Sequence, residues 1–90
     1  MRIENIKVGD AVYRREGDRR VFVGNVQEIV RKLKNPDEVH SVTTTANVST
    51  MINKNVIQSS LVIVNTPKGW KSFFNPGFSR NTLFEILHQS

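Results

Sequence analysis

The sequence predicts a mostly β protein, a small barrel of five strands with a short C-terminal α-helix. Apolar residues alternate with polar ones in short runs, and glycine, proline, asparagine and aspartate separate those runs. Only near the C-terminus does the apolar spacing change to that of a helix. With 90 residues, 38% of them hydrophobic, the chain suits one modest core and no second one.

The first strand is expected over Val8 to Tyr13. The turn Glu16 to Arg19 supplies a glycine and an aspartate where a hairpin needs permissive backbone. Its partner runs from Arg20 to Val30, with Phe22, Gly24 and Val26 on one face and Val21 and Val23 on the other. Phe22 and Val26 are the expected core anchors of this hairpin. Asn35 to Glu38 contains a proline and breaks the chain, and Val39 to Ala46 follows as a third strand. A turn near Ala46 and Asn47 leads into a fourth strand in which Val48, Thr50 and Ile52 alternate with polar neighbours, up to a turn at Asn53 to Asn55. Gln58 to Ser60 suits a tight turn before a fifth strand, Leu61 to Val64, apolar on both faces.

Residues 1–66 form the expected barrel, and 67–90 an aromatic extension. Turn signals recur there at Thr66, Pro67 and Gly69 and again at Asn75 to Gly77. Thr82 and Glu85 stand at capping-box spacing, with Leu83, Ile86 and Leu87 on one helical face and Phe84 beside it. So short a helix must dock on something. Because Val21, Val23, Val62 and Val64 are expected to face outward, Trp70 to Leu87 is expected to cover them, within the chain or across a subunit interface formed by Phe73, Phe74, Phe78, Leu83, Phe84 and Leu87.

Gly9, Asp10, Val12, Gly17, Gly24, Val26 and Ile29, resumed at Val39 and Val42 and closed by "NVIQSSLVIV" (Asn55 to Val64), carry a resemblance. Over residues 6–65 the chain resembles the SH3-like small barrels of the KOW family, ribosomal and transcription-factor modules. The resemblance implies a five-stranded SH3-like barrel that binds nucleic acid. The lysine and glycine pair usual in that family's hairpin loop is absent here.

Charge carries the functional reading. The net charge is +5, and no acidic residue lies between Glu38 and Glu85. Arg14, Arg15, Arg19 and Arg20 flank one turn, and guanidinium groups suit phosphate because their planar fork donates two hydrogen bonds to an oxyanion. Glu16 and Asp18 interrupt that cluster, so a hairpin tip of internal ion pairs is the competing reading. Arg31, Lys32 and Lys34 extend the positive stretch; residues 2–34 hold nine basic and five acidic side chains, a net of +4. Lys68, Trp70 and Lys71 interleave bases with an aromatic ring as single-stranded nucleic-acid sites do, while the phenylalanines that follow suit packing or subunit contact. The Ser-, Thr- and Asn-rich stretch from Ser41 to Ser60 reads as the solvated face of antiparallel strands.

The absence of cysteine excludes disulfides, thiolate metal sites and thiol nucleophiles. His40 and His88 have no neighbour at metal-ligand spacing, Asp37 and Glu38 read as a solvated loop, and no nucleophile motif or glycine-rich phosphate loop occurs. No catalysis, cofactor or metal is expected. The N-terminus lacks an apolar leader core, which reads as a cytoplasmic protein without a membrane span. The expected function is non-enzymatic binding of RNA or DNA through the arginine-rich hairpin. The alternative is an interaction protein of the small accessory or inhibitory kind found in viruses, which homo-oligomerises and binds a target protein or an anionic nucleotide.

Overall fold

The computed structural model describes residues 5–73 and 81–88. Among these, six strands form one closed barrel: β1 (Ala11–Glu16), β2 (Arg19–Arg31), β3 (Val39–Ile52), β4 (Asn55–Thr66), β5 (Gly69–Ser72) and β6 (Phe84–Leu87). Every strand pairs antiparallel with its sequence neighbour, and β6 returns to pair with β1, from Ala11 opposite Leu87 to Arg14 opposite Phe84. No helix of the described residues is long and apolar enough to cross a membrane.

The expectation of five strands and a C-terminal helix is corrected. The stretch from Phe84 to Leu87 is a strand, not a helix. A helix of seven or so residues is marginal in water, whereas a strand at this position satisfies the open edge of β1. The local capping-box pattern loses to that pairing, and Glu85 turns across the sheet to arginines of β1 and β2 instead. Phe84, expected at an interface, is 3% exposed and belongs to the core. Residues 67–90 thus contribute two of the barrel's staves, β5 and β6, among their described residues.

Bulges determine which side chains face inward. β1 pairs Val12 with Gly24 but Tyr13 with Phe22, leaving Val23 as the extra residue. Inserting one residue inverts the alternation beyond it. Phe22 therefore points outward, 55% exposed, with its ring edge-on to Tyr13 at 5.7 Å, while Val23 packs against the core. Phe22 is not the hairpin's anchor; Val26 is, at 1% exposure. A second irregularity pairs Val30 with Ser41 but Arg31 with Val39, so His40 is skipped and Val39 shares the inner face with Val42. Val12, Val26, Val39, Val42, Val48, Leu61, Ile63 and Phe84 make up the core.

The expected turn at Ala46 and Asn47 is instead an irregularity inside β3, where the amide of Ala46 donates to the Oγ1 of buried Thr44 at 3.1 Å. Gly24 faces this kink so closely that a Cβ there would lie 2.9 Å from Thr45 Oγ1 and 3.0 Å from the Ala46 nitrogen. Gln58 to Ser60, expected as a turn, continues β4. The turn at Asn53 and Lys54 forms as expected, with both residues in the left-handed region (φ 50° and 66°), the geometry of a type I′ hairpin.

A candidate basic surface at one end of the barrel

In an antiparallel meander, alternate connections share an end of the barrel. The Gly17–Asp18 turn and the Asn53–Lys54 turn lie at one end. The 32–38 connection, the Pro67–Lys68 turn and the approach to β1 lie at the other. The cations singled out in the sequence are thereby divided: Arg14, Arg15, Arg19 and Arg20 go to the first end, and Arg31, Lys32, Lys34 and Lys68 to the second.

The arginine end is largely self-neutralised. Arg15 and Arg20 stand opposite one another on β1 and β2, and both reach Glu85 of β6. Arg15 Nη1 donates to Oε1 at 2.9 Å and Arg20 Nε to Oε2 at 2.6 Å. The hydrogen bond from Arg20, reinforced by Arg15, holds the Glu85 carboxyl below its usual value against the opposing effect of burial. Arg14 lies 2.9 Å from Glu16. With Lys54 in the other turn of this end, five cations stand against three carboxylates, Glu16, Asp18 and Glu85, for a net of +2, and three of the four arginines are paired to Glu16 or Glu85. Among the described residues Arg19 is the one arginine of the four without a carboxylate partner.

At the opposite end six cations, Lys7, Arg31, Lys32, Lys34, Lys68 and Lys71, face four carboxylates, Asp10, Glu28, Asp37 and Glu38, for a net of +2. The 32–38 connection is held by its own bonds. The Lys32 amide donates to the Glu38 carbonyl at 3.0 Å, the Glu38 amide to the Asn35 carbonyl at 3.0 Å, and Arg31 Nη1 to the Pro36 carbonyl at 3.0 Å. Lys32 Nζ contacts Glu38 Oε2 at 2.7 Å, and this hydrogen bond with its attendant charge lowers the Glu38 pKa. Asp10, buried at 5% exposure, accepts from the Lys7 amide at 2.9 Å and lies 3.2 Å from His88 Nδ1. Lys34 and Lys68 have no carboxylate partner among the described residues.

Along the 32–38 connection lies an open concavity of ≈ 420 Å³ lined by Val30, Arg31, Lys32, Leu33, Lys34 and His40. Its apolar wall is Val30 and Leu33; Leu33 is 99% exposed. An apolar floor rimmed by cations accepts a flat ring and the anion attached to it. Leu33 and His40 were not legible as site residues. The available signal was "RKLK", a leucine set among cations with no alternating strand to bury it.

The remaining candidates fall elsewhere. Trp70 is half-buried against the core in β5, opposite Asn65, and forms the bridge to Phe84 of β6. Lys71 stands beside it, opposite Val64. Phe73 is 66% exposed and Leu83 and Leu87 are each 38% exposed, while Phe74 and Phe78 lie outside the described residues. Val62 and Val64 are half-buried outer residues of β4. Among the described residues no group of three His, Asp or Glu side chains stands close enough to hold a metal ion. No family model, curated protein or solved structure matches the chain.

Proposed function

We propose that the protein is a non-catalytic nucleic-acid-binding module whose contact surface is the end of the barrel around the 32–38 connection. The observation that carries this reading is the clustering of Arg31, Lys32, Lys34 and His40 around the apolar Val30 and Leu33, with Lys34 free of any carboxylate partner among the described residues. Phosphates take the cations, and a base or sugar takes the apolar floor. The arginine hairpin contributes mainly Arg19, because the other three arginines already hold carboxylates.

Titration of a labelled 20-nucleotide single strand over a range of salt concentrations tests the reading. With about three phosphates neutralised, log affinity falls with log salt at a slope near −2 to −3. Lys34→Glu should weaken binding about tenfold and flatten the slope by about 1, and Leu33→Ala should weaken it without changing the slope. Unaltered binding in both variants, together with loss on Arg19→Ala, would return the site to the arginine end.

A further inference from the structure

β3 and β4 continue past the barrel as a two-stranded arm. They pair with each other from Asn47 opposite Ser60 to Ile52 opposite Asn55. The β2 pairing to β3 reaches only Thr44, and the β5 pairing to β4 only Ile63. Both outer edges of the arm are therefore unpaired among the described residues, over a length of about 20 Å. Its tip is apolar on both faces. Met51 opposes Val56 on one, 72% and 62% exposed, and Ile52 and Ile57 lie on the other, 43% and 46% exposed. Val48, 8% exposed in the core cluster, covers one face of the arm's base only; beyond it the hairpin is uncovered, and natural edges are normally guarded by charge, proline or a bulge. Asn55 to Leu61 has none of these, and Lys54 is the single charged residue between Ser41 and Pro67.

Charge and edge geometry select a second copy of this chain as the occupant. Two copies of net charge +5 repel, and the arm is the part where they approach with least penalty. The same scarcity of cations disfavours nucleic acid here, since phosphate neutralisation supplies most of its affinity. An antiparallel pair of identical strands is generated by a two-fold axis and closes on itself. Within the arm the β3 edge spans Asn47 to Ile52, with the irregularity between Thr43 and Asn47 at its base. The β4 edge is continuous from Asn55 to Leu61 and ends where the Phe73 amide donates to the Val62 carbonyl at 2.8 Å.

We infer that two copies associate through their arms, β4 against β4 antiparallel across a two-fold axis, joining two barrels by a four-stranded ribbon. The inference is independent of the nucleic-acid surface, which lies at the opposite end of the barrel. Sedimentation of nucleic-acid-free protein at about 100 μM should give twice the chain mass, and Val56→Asp with Ile57→Asp should weaken association at least tenfold while leaving barrel melting intact. Should that variant unfold, cysteine-free sequence permits a cleaner readout. Single substitutions Val56→Cys, Gln58→Cys and Ser60→Cys are oxidised separately, and at least one should give a covalent dimer where Asp18→Cys stays monomeric. A monomeric parent protein, a dimer undiminished in the folded double variant, or arm cysteines that cross-link no better than Asp18→Cys would each overturn the inference.

Discussion

Replacing Phe84 with alanine tests the closure of the barrel. Phe84 is 3% exposed, lies in the core cluster, and stands between Arg14 of β1 and Trp70 of β5. Truncating a buried phenylalanine costs about 3–5 kcal/mol through lost burial and the cavity left behind. For a chain of this length, unfolding entropy near 2.1 cal/mol/K per residue converts each kcal/mol into roughly 5 °C, so the melting temperature should fall by about 15–25 °C. Leu83 and Leu87, each 38% exposed on either side of it, should cost under about 1 kcal/mol when changed to alanine. A docked helix reverses that order, because Leu83, Ile86 and Leu87 then share the buried face. Circular dichroism melts of the three variants decide the matter. A small loss for Phe84→Ala beside a large one for Leu83→Ala would refute the strand and the closed barrel with it.

Gly24→Ala should destabilise by about 1–3 kcal/mol in urea unfolding, because the added carbon meets the Ala46 nitrogen and the Thr45 hydroxyl that accepts the Asn25 amide at 2.9 Å. Lys54→Gly should relieve left-handed backbone by about 1 kcal/mol, read as slower amide exchange across residues 47–60 with little change in overall melting. Glu85→Gln should flatten the acid limb of the stability curve. The folded carboxyl titrates below its ordinary value near 4.5, so the unfolded chain binds the proton first, and stability present above about pH 4.5 is lost as pH falls through the folded value. An identical acid limb in the variant would remove Glu85 from that role.

Much of the wall was legible because it rests on local chemistry. Gly17 and Asp18, Asn53 and Lys54, and the proline at residue 36 each mark a connection by residue type alone, and the structure turns at all three. The two-sided run Leu61 to Val64 likewise sits with Leu61 and Ile63 buried and Val62 and Val64 half-covered. What escaped was register. Alternation in a single strand cannot disclose the extra residue at Val23 or at His40, since a bulge is fixed by what the neighbouring strand offers. The strand at Phe84 escaped for the same reason: its stabilising partner, β1, begins at Ala11. At the site, the arginine cluster was visible, but its neutralising carboxylate is 70 residues from Arg15 and 65 from Arg20. Lys68 joins Lys34 only once the order of the staves is known.

The return of β6 to β1 makes the wall a ribbon rolled up with a single seam. Every other pairing in it joins strands adjacent along the chain, so those hairpins zip from nearby turns at little entropic cost. The seam alone joins distant segments, and beside it Asp10 and His88 meet from 78 residues apart. Until it shuts, β1 and β6 are both open edges, and the Glu85 contacts to Arg15 and Arg20 that clasp β6 against the first hairpin cannot yet form. A nick between the Lys32 and Lys68 turns would leave that clasp in place, whereas loss of the Phe84 to His88 segment would unroll the wall into an open sheet with two bare margins. The vulnerability of the fold to trimming is thus concentrated where the two extremities of the described chain meet.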